Sequence, residues 1–396
     1  STLVIFRKEI LEIFKGLIMW NIPLFDLDYD ELEKNAVNEV LESKWLSSGA
    51  KTKEFESEFS KYLSNNALST GVSSATAALH ISLIIAGVGK NDEVIISGLT
   101  FVADANVVTM LNAEPIFCDV NSLENWNPNI EDIKEKVTEK TKAIIVVHFA
   151  GYPMEDIEDL VQFCNEKNII LVEDVAHAIG GSYDEKKCGV FGDMACFSFF
   201  SNKNLSTGEG GMFVTKNTDY DRQAKLLRSH GMTSMTIDRH EGRTISYDVV
   251  QPGLNYRIDE IRCALGLVQL SKLDNNNRKR ELLVKYYIKS ITEKINTITI
   301  PFIEVSDKAV SSYHIFPILL PEYINRVHVM EGLKLHGIQT SIHYPSFKDF
   351  SYYAKYCNYE LINADEISKR VLTLPLYPGL TFDMIDEIVN SLEEVL

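Results

Sequence analysis

The sequence predicts an α/β fold organised around a mostly parallel sheet. Two continuous apolar runs, at 143–148 and 169–173, flank a segment with helical periodicity at 154–167. A strand, a helix and a strand at this spacing form a parallel βαβ unit. Short apolar runs at 195–200 and 212–215 add two more strands. We therefore expect residues up to about 230 to form one large α/β unit.

Flanking segments complete this unit. They carry helical periodicity, short apolar runs or turn signals such as Ser47-Ser48-Gly49, which separates the first two helices. In chain order we expect helices at 28–45 and 52–63, a loop entering a helix within 71–86, strands at 94–96 and 114–119, and a helix at 130–137. Ligands of such sheets bind beyond the carboxyl ends of the strands, so candidate site residues are expected there.

The second half of the chain predicts a smaller α/β domain. A long helical stretch begins at Asp259, and after Pro301 strands and helices alternate again. The expected elements are strands at 313–320 and 338–344, a helix at 326–336 and a final helix from about Phe382. We therefore divide the chain into a large domain at 19–258 and, at 259–396, a long linking helix with a small C-terminal domain.

Residues 1–18, STLVIFRKEILEIFKGLI, form an N-terminal extension that is amphipathic and charged. They lack the long uncharged run of a membrane helix and the small-residue cleavage site of a signal peptide. We assign this extension no function and expect no membrane partner.

The composition is that of a soluble globular protein of ordinary size. The chain has 396 residues, of which 45% are hydrophobic and 24% charged, and its net charge is −17. Such an acidic surface repels nucleic acids and anionic membranes, so neither is expected as a partner. The six cysteines are scattered without metal-ligand spacing. We expect reduced thiols, no metal and a cytoplasmic location.

Reactive side chains are concentrated between residues 171 and 211. Lys203 follows a predicted buried strand and precedes a glycine-rich turn. A lysine amine can form a Schiff base with an aldehyde. The alternative interpretation is an ordinary surface lysine, which is what the residue type alone predicts. Asp174 ends a strand and can pair with a protonated pyridine nitrogen or cap a helix. Glu173 competes for the first of these roles. His177 can face a ring or serve the structure only.

Small polar residues outside that stretch can hold a phosphate. Ser74, Ala75 and Thr76 stand where a loop enters a helix, whose first amides bind anions, although a plain helix cap uses the same residues. Ser198 lies in an apolar strand, where its hydroxyl meets a phosphate or the backbone. Phe101 follows a strand and can stack on a flat ring or pack in the core.

Seven motifs, in this order and at this spacing, resemble those of the DegT/DnrJ/EryC1/StrS sugar aminotransferases. The resemblance extends from Ile22 to the C-terminus. The motifs are SSATAALH (73–80), GLTFVADAN (98–106), VHFAGYP (147–153), EDVAHAIGG (173–181), FSFFSNKNLSTGEGG (197–211), GLNYRIDEIRCALGLVQL (253–270) and IHYPSF (342–347). It implies the aspartate-aminotransferase fold (fold type I), with pyridoxal 5′-phosphate as cofactor and pyridoxamine 5′-phosphate in the second half-reaction.

The resemblance also implies roles for the catalytic residues. Lys203 binds the cofactor as a Schiff base and moves the proton between cofactor and substrate carbons. Asp174 pairs with the pyridine nitrogen. His177 lies near the 3-hydroxyl group, where many relatives carry glutamine. Glu209 and His343 line the sugar pocket.

The phosphate and ring contacts follow from the same resemblance. Ser198, Ala75 and Thr76 hold the phosphate, together with the preceding Ser74, and Phe101 stacks on the ring. Asn255 matches an asparagine that reaches the phosphate bound by the neighbouring subunit. The resemblance therefore implies a homodimer with shared active sites.

The implied reaction moves an amine from an amino acid, usually L-glutamate, to the keto carbon of a nucleotide-linked sugar in polysaccharide or related biosynthesis. The motif at 73–80 and the insert at 239–251 favour C4 of the sugar over C3. Two alternative hypotheses are a sugar dehydratase and a non-catalytic regulator. Dehydratase relatives carry histidine in place of the lysine, so Lys203 argues against the first hypothesis. Regulators carry a DNA-binding module, which the net charge opposes.

Overall fold

The computed structural model describes residues 20–233 and 246–396 of the chain. The predicted extension at 1–18 and part of the insert at 239–251 lie outside these residues. The central element is a seven-stranded sheet with the order β1-β9-β8-β5-β4-β2-β3. Its strands are β1 Leu68–Val72, β2 Glu93–Ser97, β3 Glu114–Cys118, β4 Thr141–Val147, β5 Ile170–Asp174, β8 Met194–Ser198 and β9 Gly211–Thr215.

Helices cover the sheet and connect its strands. In the first part of the chain they are α1 Glu31–Ser43, α2 Ala50–Leu63, α3 Ala75–Ile85, α4 Val102–Met110, α5 Ile130–Lys136, α6 Ile157–Lys167 and α7 Thr218–Leu227. Short strands β6 Ser182–Tyr183 and β7 Lys186–Lys187 form a hairpin that also pairs with β10 Ala309–Val310.

The sheet is mostly parallel, as the sequence predicts. Strands β2, β3, β4, β5 and β8 pair in parallel, whereas β9 runs antiparallel to both β1 and β8. The strands β2, β8 and β9 are buried along their whole length, which explains their continuous apolar runs. The carboxyl ends of β5 and β8 lie side by side and carry Asp174 and Ser198.

The C-terminal part begins with a 35-residue helix, α8 Glu260–Lys294. A second apolar core forms where the end of this helix packs with the elements that follow. Those elements are β11 Phe316–Leu319, α9 Arg326–Leu335, α10 Ile362–Arg370, β12 Val371–Leu374 and α11 Phe382–Val395. The division of the chain into a large and a smaller C-terminal domain at residue 259 stays a prediction.

The segment at 338–344 differs from its predicted strand. It makes only isolated bridges, Ile338 with Ile22 and Ser341 with Thr373. The partner of β11 is instead β12, which the sequence analysis missed. At the end of this segment, His343 and Tyr344 line a cavity. In the described part of the chain, no helix combines the length and the apolar character needed to cross a membrane.

Candidate active site

One cavity of about 360 Å³ collects almost all the residues that the sequence singled out. It opens beyond the carboxyl ends of β5 and β8, where ligands of such sheets bind. The predicted residues that line it are Ser74, Ala75, Thr76, Phe101, Asp174, His177, Ser198, Lys203, Glu209 and His343. Asn255 does not line it. A larger cavity, of about 570 Å³ around Lys216, contains none of the predicted residues.

Lys203 stands in the turn between β8 and β9, where its backbone N–H donates to the carbonyl oxygen of Phe200 over 2.8 Å. Burial lowers the pKa of its amine to about 8, and the nearby Asp174 carboxylate acts in the opposite direction. At that pKa a sizeable share of the amine is neutral near pH 8, and a neutral amine is the form that attacks a carbonyl. The Lys203 Nζ lies 3.3 Å from Nε2 of His314, a residue that the sequence analysis did not select.

Asp174 ends β5, and its Oδ1 accepts a hydrogen bond from the backbone N–H of Ala176 over 2.8 Å. Burial raises the pKa of Asp174. Asp104 on α4 is its neighbour, and burial together with the Asp174 charge raises the pKa of Asp104 well above its usual range. The Asp104 Oδ2 accepts a hydrogen bond from the Thr100 hydroxyl over 2.6 Å. Because neighbouring like charges disfavour each other, Asp104 is the member of the pair that keeps its proton.

The second carboxylate at this strand end, Glu173, has a structural role. It is fully buried and accepts hydrogen bonds from the backbone N–H groups of Gly189 and Phe191, each over 2.7 Å. Its Oε2 also lies 3.0 Å from Nε2 of His148. Because successive strand residues face opposite sides of a sheet, Glu173 points away from the cavity that Asp174 enters.

The start of α3 forms the opposite wall of the cavity. Ser74 is the N-cap, and its Oγ accepts from the backbone N–H of Ala77 over 3.1 Å. A Cβ on Gly211 would lie 2.4 Å from the carbonyl carbon of Ser74, so only glycine lets β9 approach the helix this closely. Gly211 pairs with Ser198, which brings the Ser198 hydroxyl beside the helix start. Free backbone amides and the helix dipole make such a start suited to a phosphate.

His177 is held in one tautomer by its two partners. Its Nδ1 accepts from the backbone N–H of Ala150 over 3.3 Å, so Nε2 carries the proton and donates to the Tyr344 hydroxyl over 2.9 Å. Burial and the Lys203 charge lower the pKa of His177 well below its usual range. The ring of Tyr344 also lies 5.7 Å from that of Phe101, which stands 53% exposed at the cavity mouth.

Comparison with known protein families identifies the family of the chain. The profile of the DegT/DnrJ/EryC1/StrS aminotransferase family matches residues 27–393. The chain belongs to this family. It is 34% identical to the uncharacterized protein MJ1066 of Methanocaldococcus jannaschii, over 95% of this chain and 97% of that protein.

Solved structures of similar proteins share the fold. The aminotransferase TlmJ from Streptoalloteichus hindustanus is 29% identical, with a TM-score of 0.86 over 95% of this chain and 98% of that one. The PMP form of Spr1654 from Streptococcus pneumoniae is 28% identical, with a TM-score of 0.86 over 95% and 99%. The E. coli GDP-4-keto-6-deoxy-D-mannose-3-dehydratase, with bound hydrated PLP, is 26% identical, with a TM-score of 0.84 over 94% and 100%.

In this aminotransferase, the predicted residues His343 and Asn255 occupy different places. His343 lines the cavity, with its Nδ1 2.9 Å from the Thr373 hydroxyl, and burial and the Lys203 charge lower its pKa to about 3. Asn255 is exposed outside its own cavity, and its backbone bridges to Ser229. Its predicted role therefore depends on a second subunit.

Four residues in or beside the cavity of this family member were not predicted from the sequence. Asn202 and Tyr344 line the cavity. His314 lies within hydrogen-bond distance of Lys203, and Asp104 neighbours Asp174. The Asn202 Oδ1 is buried and has no hydrogen-bond partner among the described residues. The only sequence signal for Asn202 was its place beside the candidate lysine.

Proposed function

We propose that the chain is a pyridoxal-phosphate-dependent aminotransferase that moves an amino group from an amino acid, L-glutamate, to the keto carbon at C4 of a nucleotide-linked sugar. One observation carries the proposal. A lysine with a lowered pKa, a strand-end carboxylate and a helix start face one cavity of about 360 Å³ in a chain of the sugar aminotransferase family.

The residues present fit pyridoxal phosphate. Thr76 and the first amides of α3 suit the phosphate group, with Ser198 beside them. Asp174 suits the protonated pyridine nitrogen, and the Asp104 neighbour leaves it the charge that this pairing needs. The apolar flank of Phe101 suits a flat ring. When bound, the cofactor draws electron density away from the carbon that loses its proton.

The proton-moving group in this proposal is the Lys203 amine. A base with a pKa of about 8 is poised both to accept and to donate a proton close to neutral pH. Because it is a single amine on a flexible stem, Lys203 takes the proton from one carbon and returns it to another on the same face. His177, neutral and fixed in its Nε2–H tautomer, orients a neighbouring oxygen by hydrogen bonding.

The sugar substrate is proposed to occupy the outer part of the cavity. Glu209 and His343 line the cavity with polar groups for sugar hydroxyls, and Phe101 and Phe200 are exposed at 53% and 44%. Exposed aromatic rings at a pocket mouth suit the flat base of a nucleotide or the apolar face of a sugar. The choice of C4 over C3 rests on the resemblance of the 73–80 motif and the 239–251 insert.

Homodimers with shared sites belong to the same proposal. Asn255 is exposed and lies outside its own cavity, where a second subunit can receive it. The dehydratase alternative has less support because Lys203 is present and has a lowered pKa. A purely regulatory role leaves that reactive amine without a use.

The proposal is tested by mass spectrometry of a panel of nucleotide-linked keto-sugars incubated with glutamate and the purified holoenzyme. Replacement of one keto oxygen by an amine, with matching formation of 2-oxoglutarate, supports the proposal, and fragmentation of the product locates the carbon. Loss of water without gain of nitrogen indicates the dehydratase instead. No change in any substrate by the holoenzyme would argue against an aminotransferase of nucleotide sugars.

A further inference from the structure

A chain of side-chain amides runs from the core to the catalytic lysine. Asn277 on α8 donates from Nδ2 to the carbonyl oxygen of Ile179 over 3.0 Å, which leaves its Oδ1 as an acceptor. That oxygen accepts from Nδ2 of Asn204 over 2.8 Å, and Asn204 Nδ2 also donates to the carbonyl oxygen of Ser312 over 2.7 Å. Both amides are therefore fixed in orientation, and Asn204 presents its Oδ1 to the next partner.

That partner is His314, whose tautomer follows from the amide chain. Its Nδ1 lies 3.0 Å from Asn204 Oδ1, which can only accept, so Nδ1 carries the proton. The other ring nitrogen, Nε2, then holds a lone pair and faces Lys203 Nζ at 3.3 Å. The outcome is a hydrogen-bond acceptor aimed at the amine of the lysine.

The backbone of His314 is pinned as well. Its N–H donates to the carbonyl oxygen of Ala150 over 2.9 Å, and its own carbonyl accepts from Arg280 Nη1 over 3.2 Å. The residue is only 3% exposed. A ring held at its backbone and at one nitrogen has little freedom, so Nε2 keeps its place whether or not the lysine is there.

The charges around His314 keep the ring neutral. Burial is the largest cause that holds the pKa of His314 well below its usual range. Smaller contributions in the same direction come from Lys203, His177, Arg280 and His343. Among the described residues, the carboxylate that acts on Lys203 is Asp174, which favours the charged amine. A neutral imidazole accepts a hydrogen bond from the Lys203 amine whether that amine is charged or neutral. An imidazolium would repel the charged amine.

We propose that His314 is a positioning residue for Lys203: its Nε2 holds the lysine amine at the cavity wall whenever that amine is free, and leaves the amine lone pair for the incoming carbonyl. The inference rests on the proposed function, because the amine is free only in the steps where the cofactor carries the transferred amino group. The Asn204–Asn277 chain contributes by fixing the acceptor tautomer.

The test uses the full-length protein and follows capture of pyridoxal phosphate by stopped-flow growth of the visible Schiff-base absorbance, over a range of pH. His314→Phe removes the acceptor, and we expect capture about tenfold slower, as the loss of one hydrogen bond implies. His314→Gln restores an oxygen acceptor, so its capture should lie within about twofold of wild type. Asn204→Asp should raise the His314 pKa and move the pH profile of capture upward.

Controls separate this inference from the proposed function. The exposed His328 provides a matched variant, His328→Phe, whose capture should equal that of wild type. Lys203→Ala should give no visible band. If wild type itself forms no band, the proposed function fails. If wild type forms the band and His314→Phe, folded by circular dichroism, captures the cofactor at the wild-type rate with an unchanged pH profile, the positioning role of His314 is overturned.

Discussion

The His177 Nε2 lies 2.9 Å from the Tyr344 hydroxyl, and this contact joins the loop after β5 to the segment at 338–344. Because His177 Nδ1 accepts from Ala150, the Nε2 proton has the Tyr344 oxygen as its acceptor. Tyr344→Phe would leave that proton buried without a partner. We expect the free energy of unfolding without cofactor to fall by about 1–3 kcal/mol, measured by urea denaturation.

The matched control for this change is Tyr323→Phe. Tyr323 is 78% exposed, so loss of its hydroxyl should alter stability by less than about 0.5 kcal/mol. Equal losses in the two variants would mean that the His177–Tyr344 hydrogen bond contributes nothing to the fold.

The Asp104–Asp174 pair predicts a pH-dependent difference in stability. The folded-state pKa of Asp104 is raised, so the folded protein binds more protons than the unfolded chain above pH 3.8, and stability falls as pH rises through this window. Asp104→Asn keeps an oxygen acceptor for the Thr100 hydroxyl and removes the titration. As pH rises, we expect the free energy of unfolding of Asp104→Asn to increase relative to that of wild type, by up to about 1.4 kcal/mol per pH unit.

Urea denaturation at several pH values from about 4 to about 8 checks this prediction. Asp307→Asn is the control, since Asp307 is exposed and lies outside the cavity. A constant stability difference between wild type and Asp104→Asn across the range would show that Asp104 does not hold a proton in the folded protein.

Much of the cavity could be predicted because its residues stand at strand ends or at a helix start. The positions of Asp174 and Ser198 follow from two apolar runs whose carboxyl ends meet in a parallel sheet. His314 and Tyr344 could not be placed in this way, because they come from segments over 100 residues away in sequence. The role of Asp104 beside Asp174 could not be predicted either, because Asp104 lies within a helix, where an acidic residue normally faces solvent.

The same distance in sequence explains the error at 338–344. The sequence predicts a strand there, but the two ends of the segment lie in different surroundings. Ile338 packs in the second apolar core, while His343 and Tyr344 face the cavity. Without a neighbouring strand in register, the segment makes isolated bridges only.

His343 predicts a loss of stability in acid. Its folded-state pKa is about 3, so below pH 6.5 the unfolded chain binds the proton that the folded protein refuses. The stability tied to the neutral ring is present above pH 6.5 and is lost as pH falls towards about 3. His343→Gln keeps a polar group near Thr373 and removes this dependence of the unfolding free energy on pH, which amounts to up to about 1.4 kcal/mol per pH unit.

Unfolding free energies of the cofactor-free protein at about pH 7 and about pH 5 check the slope. The exposed His328 again supplies the comparison, as His328→Gln. We expect the acid-induced loss to be smaller in His343→Gln than in wild type, and unchanged in His328→Gln. A full wild-type slope in His343→Gln would assign the acid sensitivity to other groups.

The position of Asn255 predicts that two inactive variants can repair each other. It is exposed outside its own cavity, while Lys203 lies within its own. If Asn255 completes the site of a second subunit, a hybrid of Lys203→Ala and Asn255→Ala subunits holds one site with both defects and one intact site. Mixing equal amounts and allowing subunits to exchange should then restore about a quarter of wild-type activity, because half of the dimers are hybrids with one good site.

The mixing experiment separates a shared site from a self-contained one. Each variant alone should show little turnover, and mixing without subunit exchange should add nothing. If Asn255 serves its own subunit, every hybrid contains two damaged sites, and exchange leaves the activity at the mean of the two variants. Activity is followed as amine transfer to the sugar substrate, and hybrid formation is verified by native mass spectrometry.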